Sequence, residues 1–311
     1  MQNKTEEIMN EVKKVIIGKD DVIKKVLMAI LSKGHVLLDD IPGVGKTTMA
    51  LSFSRTLGLD YQRLQCTPDT TPSDIIGYSF YKKETDELEY RAGAVMCNLL
   101  LVDEINRTSS KTQSALLEVM EEGNVTVDGV TRSLPEPFIV IATQNPFGSA
   151  GTLLLPQSQL DRFAVCLGMG YPDVESHINI LRDRNKEKPL DKIRQIVTIE
   201  EIKQMQNEVN NVDVDDTLFR YVTELAECTR HHSDILLGVS PRGALSVVRM
   251  AKANAYVSGR NYLIPQDIVD IFADVAAHRI VISPKSKISG ITAFDLVKKI
   301  METTKTPIVQ L

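Results

Sequence analysis

Four short, strongly apolar runs, separated by segments with helical periodicity, constrain the fold of this chain most. Such runs are typical of strands that are buried on both faces of a parallel sheet, whereas half-exposed antiparallel strands alternate apolar and polar residues. The runs are HVLL (35–38), NLLLVDE (98–104), FIVIAT (138–143) and FAVCLG (163–168). They predict an α/β fold of the doubly wound kind, with helices on both sides of the sheet.

The segments around these runs predict helices and one hairpin. Residues 20–33 carry an apolar face, with Asp20 as the expected N-cap, and residues 46–57 and 111–122 are also helical in pattern. Residues 124–134 read as a hairpin, because Asp128-Gly129 is a favoured pair for a tight turn.

The pattern changes after Pro172. A charged, linker-like stretch occupies residues 182–192, and every strong signal from 199 to 279 is helical. Ser240 is positioned as an N-cap before Pro241, and Pro265 opens another helix. Another helix is expected near residues 293–304. We therefore predict an α/β domain over 1–185 and a helical domain over 186–311.

Composition excludes several classes of protein. The 311 residues suit about two domains, and the formal net charge of −5 does not favour a nucleic-acid or membrane surface. No apolar run has the length of a membrane span, and the polar N-terminus lacks a signal-peptide core. The scattered Cys66, Cys97, Cys166 and Cys228 are expected to be buried free thiols, which predicts a cytoplasmic protein.

A glycine-rich turn between the first predicted strand and its helix carries the clearest functional signal. Gly43 and Gly45 allow backbone N–H groups to approach phosphate, and the helix N-terminus adds partial positive charge. Lys46 is expected to reach the β- and γ-phosphates, and Thr47 to bind Mg²⁺. The alternative is a turn with an incidental lysine. Asp40 stands where the strict pattern has glycine, and we expect it behind the cradle.

Two acids end the second apolar run. Asp103 is expected to hold magnesium near the phosphate loop, and Glu104 to position and polarise the attacking water. Two solvated acids at a strand end are the simpler alternative.

Three further polar residues are candidates for catalysis. Asn145 ends the next strand, where ligands bind in such sheets, although it can equally be a turn cap before Pro146. Arg162 and Arg242 open or close helical segments and can stabilise charge on a transferring phosphoryl group. Each arginine alone is more readily explained by a surface ion pair.

Taken in chain order, these motifs resemble those of the MoxR family of AAA+ ATPases, over nearly the whole chain. The stretch IIGKDDVIKKVLMAIL resembles the N-terminal segment of the family, DDIPGVGKTT its Walker A motif, and LLLVDEINR its Walker B motif. FIVIATQNP resembles sensor 1, LLPQSQLDRF the arginine-finger region, and LGVSPRGALSVVRMAKANA sensor 2 and the lid. Residues 73–95 fall at the helix-2 insert of the clade, and residues 121–137 at its hairpin before sensor 1.

The resemblance implies an AAA+ P-loop NTPase αβα core followed by an all-α lid domain, with ATP and Mg²⁺ as cofactors. It implies a homo-oligomeric ring, usually a hexamer, in which Arg162 acts in trans and Arg242 in cis. Arg107 is a further interface candidate. Thr47 and Asp103 would hold the metal. The residues implied in nucleotide binding are Ile17, Gly18, Pro42, Gly43, Val44, Gly45, Lys46, Thr47, Thr48 and Asp103; those implied in catalysis are Lys46, Glu104, Asn145, Arg162 and Arg242.

The resemblance also implies a chaperone or remodeller that matures or assembles protein clients, among which von Willebrand factor A domain proteins are frequent. A nucleic-acid motor, a chelatase-type motor subunit and a non-catalytic ring remain alternatives. The basic residues available to bind nucleic acid are few, since the predicted hairpin has Arg132 and the insert has Lys82, Lys83 and Arg91.

Overall fold

A computed structural model describes residues 2–84, 86–145, 155–184 and 189–308. Pro146 and the predicted domain boundary between residues 185 and 186 lie outside the described residues.

The described chain alternates helices and strands in its first half and is mainly helical afterwards. The strands are β1 (Val36–Asp39), β2 (Tyr61–Gln65), β3 (Tyr78–Lys82), β4 (Glu87–Arg91), β5 (Leu99–Asp103), β6 (Asn124–Val127), β7 (Val130–Ser133), β8 (Ile139–Gln144), β9 (Val165–Leu167), β10 (Ile235–Leu237) and β11 (Val281–Ile282). The helices are α1 (Gln2–Lys13), α2 (Asp20–Leu31), α3 (Lys46–Leu57), α4 (Pro72–Ile76), α5 (Ser110–Glu122), α6 (Gln157–Leu160), α7 (Val174–Arg184), α8 (Ile199–Asn210), α9 (Asp216–Arg230), α10 (Pro241–Val257), α11 (Pro265–Ala276), α12 (Pro284–Ile288) and α13 (Ala293–Thr303).

The central sheet has five parallel strands in the order β2-β5-β8-β1-β9. All four predicted apolar strands belong to it, so the expected fold is confirmed. Successive residues point to opposite faces of a strand, and both faces are covered. Val36 and Leu38 join one buried apolar cluster, while Leu37 joins the other. Burial on both sides explains why these runs lack polar residues.

The fifth strand, β2, was not predicted. It lies at an edge of the sheet and pairs only with β5 among the described strands, from Tyr61 opposite Leu99 to Gln65 opposite Asp103. Its residues are half-buried or exposed, and the sequence YQRLQ gives no apolar run. Its polar side chains reappear in the functional site below.

The helical half packs directly against the α/β half. One buried cluster includes Ile8 of α1, Leu27 of α2, Val247 of α10 and Phe272 of α11. The side chain of Gln206 adds a buried hydrogen bond, since its Nε2 donates to the carbonyl of Ile30 at 2.8 Å. The position of the helical half is therefore fixed by apolar packing along α1 and α2.

Of the two predicted helix caps, Ser240 is confirmed and Asp20 is wrong. The side chain of Asp215 accepts from the amide of Thr217 ahead of α9, and that of Ser240 accepts from the amide of Gly243 ahead of α10. Asp20, in contrast, is the first residue inside α2, and Lys19 holds the cap position without a side-chain hydrogen bond.

Two antiparallel hairpins project from the α/β half. The first, β3–β4, lies in the segment that resembles the helix-2 insert and follows α4. The second, β6–β7, confirms the predicted hairpin, and Asp128 and Gly129 both have positive φ, at 51° and 74°. The guanidinium of Arg132 lies 3.9 Å from the ring centroid of Tyr90, so the two hairpins are joined by a cation–π contact.

None of the described helices is long and apolar enough to cross a membrane. All four cysteines are free, as expected, and Cys66 and Cys97 are buried. The expectation of burial is wrong for Cys228, which is exposed on the surface of α9, and only partly right for Cys166, which is half-buried.

Candidate nucleotide site

The loop between β1 and α3 has the backbone that a phosphate cradle needs. Gly43 and Gly45 have φ of 86° and 100°, values that favour glycine because a Cβ atom is strained there. Gly45 directly precedes the first turn of α3, whose free N–H groups face the loop. The strand, loop and helix thus form an anion-binding terminus.

Lys46 lies at the start of α3 and turns back over the loop. Its Nζ donates to the carbonyl of Asp40 at 2.5 Å and to that of Gln144 at 3.2 Å. Burial lowers the pKa of Lys46, and the carboxylates of Asp40 and Asp39 oppose that shift. The ammonium group is therefore held at the carboxyl ends of β1 and β8.

The predicted metal ligands face each other across this loop. Thr47 Oγ1 lies 3.5 Å from Asp103 Oδ2, and Thr143 Oγ1 donates to Asp103 Oδ1 at 3.2 Å. A hydroxyl and a carboxylate oxygen are hard ligands that suit Mg²⁺, which usually takes few protein ligands and completes its shell with phosphate and water. The donor set therefore fits the implied metal.

Arg63 on β2 also lies in this site, although no sequence motif predicted it. Its Nε and Nη2 lie 2.8 and 2.7 Å from Asp103 Oδ2, the same oxygen that faces Thr47. Its neighbour on the same face, Gln65, contacts both Arg63 and Glu104. The sequence does show polar residues at alternate positions of this edge strand. Their place in the site becomes clear only when β2 is paired with β5.

Glu104 has a left-handed backbone with φ of 57°, and its amide donates to Thr143 Oγ1 at 2.9 Å. Its carboxylate contacts Arg107 Nη1 at 2.7 Å. Arg107, an interface candidate on sequence grounds, thus pairs with the Glu104 of its own chain.

Two cavities meet at the glycine-rich loop. The first, the phosphate cavity, has a volume of about 330 Å³ and is lined by the loop together with Arg63, Asp103, Glu104 and Asn145. The second, the apolar cavity, has a volume of about 250 Å³. Its lining residues are Val15, Ile16, Ile17, Lys19, Pro42, Gly43, Val44, Gly45, Met169, Tyr171, Pro172, His177 and Ile180. Because the loop borders both cavities, a ligand with an apolar end and an anionic end can span them.

Nine of the ten predicted binding residues line one of these cavities, and Gly18 is the exception. A Cβ atom at Gly18 would lie 2.2 Å from Ser176 Oγ, so this glycine permits a close approach of α7. Asp40 is also outside the lining of both cavities, as expected. Its carboxylate accepts from the amides of Ile41 and Gly170, and so ties the loop to the segment after β9.

Arg162 and Arg242 lie close to each other, but outside both of these cavities. They line a third cavity of about 430 Å³, the arginine pocket, with Lys33, Arg249 and Glu121. Arg162 Nη1 lies 2.9 Å from Glu121 Oε2, and Arg242 pairs with the other carboxylate oxygen of Glu121. Neither arginine is among the described residues that line the phosphate cavity.

The arginine pocket and the phosphate cavity lie at opposite ends of the sheet. Gly34 and His35 line the pocket and precede β1, whereas the phosphate loop follows β1. The four residues of this strand separate the two ends by about 13 Å. The cis role expected of Arg242 does not fit this position, because the side chain pairs with Glu121 at the far end of the strand from its own phosphate loop.

This architecture defines a class of protein. The sequence profile described as the ATPase family associated with various cellular activities (AAA) matches residues 35–165, and the profile of the AAA lid domain matches residues 227–300. A Cytophaga hutchinsonii protein of known structure, provisionally described as an ATPase, superposes with a TM-score of 0.92 at 35% identity, covering 99% of this chain and 96% of that one.

Two relatives specify the family within this class. The Mycobacterium tuberculosis protein named Chaperone MoxR1 is 37% identical over 96% of this chain and 81% of its own length. YeaC of Bacillus subtilis, whose function is uncharacterised, is 45% identical over 96% of this chain and 94% of its own length. The chain belongs to the MoxR family of AAA+ ATPases.

Proposed function

We propose that this protein hydrolyses ATP with Mg²⁺ at sites shared between neighbouring subunits of a homo-oligomer. The observation that carries the proposal is the placement of the phosphate-binding residues and of Arg162 and Arg242 at opposite ends of one sheet. A neighbouring copy can present its arginine pocket to the phosphate cavity, whereas one chain cannot do so to itself. Both arginines then act in trans.

The residues of the phosphate cavity have separate tasks in this mechanism. The loop amides and Lys46 bind the β- and γ-phosphates, and the apolar cavity takes the base. Thr47 and Asp103 would hold Mg²⁺, which would supply positive charge to neutralise the phosphate oxygens.

Glu104 and Asn145 act on the attacking water. The Glu104 carboxylate accepts a proton from this water or orients it, while Arg107 Nη1 pairs with Oε2 of the same carboxylate. Asn145 lines the same cavity beside Glu104 and helps to fix the water. Arg162 and Arg242 of the neighbour stabilise charge on the transferring phosphoryl group.

Glu104→Gln tests the hydrolytic role. The variant should bind ATP with near-normal affinity and turn over at least about 100-fold more slowly, since an amide cannot take a proton. Phosphate release and binding of a fluorescent ATP analogue measure the two properties. Glu122→Gln removes the same charge from an exposed position and should behave like the unchanged protein. Normal turnover by Glu104→Gln would contradict the assignment.

The oligomer we propose is a hexameric ring, as in related AAA+ proteins, and its clients are proteins. The β3–β4 hairpin exposes four large apolar residues, and Tyr78 and Phe80 form a ring pair at 6.4 Å. An exposed apolar hairpin suits a protein surface. The exposed residues are Tyr78, Phe80, Tyr81 and Leu88.

Nucleic acid is the less favoured client. Lys82 pairs with Glu89, Arg91 donates to the hydroxyl of Tyr78, and Arg132 covers Tyr90. These three basic groups are therefore engaged within the chain, whereas phosphate binding would need several free ones. Tight, salt-sensitive binding in a fluorescence anisotropy titration with DNA would overturn this preference.

Capture by the Glu104→Gln variant in the presence of ATP, followed by mass spectrometry, tests the client class. We expect protein partners, with von Willebrand factor A domain proteins among them, and we expect Phe80→Ser to reduce capture while ATP turnover is kept. Recovery of chelatase subunits instead would favour the chelatase-type alternative.

A further inference from the structure

One carboxylate holds both arginines of the arginine pocket. Glu121 pairs through Oε2 with Arg162 and through Oε1 with Arg242. Arg162 belongs to the α/β half, beyond α6, whereas Arg242 is in the first turn of α10 in the helical half. Glu121 is therefore a bridge between the two halves as well as a counter-charge.

The C-terminal part of α5 offers Arg162 a second contact beside Glu121. Arg162 Nη1 also donates to the carbonyl of Leu117 at 2.5 Å, one turn before Glu121. The last turn of a helix carries partial negative charge, which favours a guanidinium there. His35 also holds this end of α5, because its Nε2 lies 3.0 Å from the carbonyl oxygen of Met120.

A second ion pair in the same region, between Arg279 and Asp161, is buried and provides a comparison. Arg279 is 2% exposed and donates to Asp161 Oδ1 at 2.8 Å, while Ser240 donates to Asp161 Oδ2 at 2.8 Å. Breaking that pair would leave a buried charge. The side chains of Glu121 and Arg242, in contrast, are 42% and 45% exposed, so their pair can exchange for another partner at little cost.

We propose that Glu121 is an autoinhibitory latch, which keeps Arg162 and Arg242 from a neighbouring subunit until the triphosphate of that neighbour displaces it. The proposal rests on the trans role given to the two arginines above. A triphosphate carries more negative charge than one carboxylate and can accept from both guanidinium groups. The latch thus raises the protein and ATP concentrations at which shared sites form.

The same contact allows the opposite role, in which Glu121 positions the arginines for catalysis. The two roles predict opposite signs. Removal of a latch promotes assembly and leaves the maximal rate unchanged, whereas removal of a positioning residue lowers the maximal rate.

The test is the ATP turnover of the full chain with Glu121→Gln, measured against protein concentration and against ATP concentration. We expect half-maximal specific activity at about twofold to tenfold lower protein concentration, with the rate at saturation unchanged. Glu118→Gln and Glu122→Gln remove the same charge from exposed positions of the same helix and should match the unchanged protein. An unchanged or higher half-maximal concentration, or a lower rate at saturation, overturns the latch.

A second measurement separates the latch from a general charge effect. Sedimentation velocity with a non-hydrolysable ATP analogue should show that Glu121→Gln promotes assembly, and that this gain disappears in a background of Arg162→Ala and Arg242→Ala. A gain that persists without the arginines overturns the proposal. Normal turnover by Arg162→Ala alone would instead refute the shared site itself, whatever Glu121→Gln does.

Discussion

The two ends of the parallel sheet bind charge in different ways. At the carboxyl end, phosphate binding depends on backbone geometry, because Gly43 and Gly45 hold positive φ beside the N-terminus of α3. At the amino end, the arginine pocket depends on long side chains from two halves of the chain. The first is preset before any ligand arrives, whereas the second changes whenever the halves or the subunits move.

The ends share one property, since at each end several charged groups pair with one another within the single chain. Arg63 covers Asp103 and Arg107 covers Glu104 at one end, and Glu121 covers both arginines at the other. In the proposed mechanism, a bound nucleotide and a neighbouring subunit would displace these internal partners. Because the carboxyl end is preset and the amino end is not, we expect affinity for nucleotide to depend on the carboxyl end alone. Turnover should depend on both ends of the sheet.

Arg162→Ala should give the largest effect, and it distinguishes most clearly between the contributions of the two ends to turnover and to ATP affinity. Turnover should fall by about 100-fold to 1,000-fold, because charge on the transferring phosphoryl group loses a guanidinium, while ATP affinity stays within about threefold. Turnover and binding of a fluorescent ATP analogue measure the two properties.

Mixing extends this test to the neighbour. Arg162→Ala and Lys46→Ala subunits, each inactive alone, should regain part of the activity when combined, because a mixed interface can join one intact end of each. No recovery over a range of ratios, with mixed assembly verified by sedimentation, would break the proposed sharing.

Lys46→Ala should weaken ATP binding by about 100-fold, since the charge-assisted contacts to two phosphates are lost from the preset end. Isothermal titration calorimetry measures the affinity. Lys19→Ala, a change at the border of the apolar cavity, is the matched control and should weaken ATP binding far less. Near-normal binding by Lys46→Ala would contradict the assignment of the phosphate loop.

Acid should loosen the arginine end through His35. Val140 N–H donates to His35 Nδ1 and burial lowers the pKa of His35 to about 4, so the folded protein holds the neutral ring. Between the unfolded pKa near 6.5 and the folded value, only the unfolded chain takes up the proton, so stability falls as pH falls. At pH 5.5 the loss should be about 1.4 kcal/mol.

Urea unfolding at pH 7.5 and 5.5 measures this loss. His35→Gln, which can keep one acceptor and one donor, should lose less stability over the same interval, with the remaining buried His278 common to both proteins. An equal loss in the variant would assign the acid sensitivity to another group.

Arg63→Ala should have the smallest effect and tests the internal partner at the preset end. Arg63 occupies the Asp103 oxygen that faces Thr47, so its removal should lower the Mg²⁺ concentration for half-maximal nucleotide fluorescence by up to about fivefold. Arg55→Ala, whose guanidinium lies on the other end of α3 beside Asp191, is the control. A higher Mg²⁺ requirement would show that Arg63 assists the metal or phosphate instead.

Local patterns in the sequence predicted most of the carboxyl end. The apolar strands, the loop of Gly43 to Thr47, and the acids at the end of β5 are close along the chain or follow adjacent strands, and parallel strands bring their ends together by geometry alone. The same is true of the helix cap at Ser240, since it depends on a residue three positions away.

Only the tertiary structure decided the rest. Arg63 is separated from Asp103 by 40 positions and lies on an edge strand without an apolar pattern, so pairing with β5 is needed to reveal it. Arg242 and Arg162 are 80 positions apart, and their meeting on Glu121 depends on how the helical half packs along α1 and α2. Sequence motifs predicted which groups would perform the chemistry, while packing placed the two arginines away from the phosphate loop of their own chain.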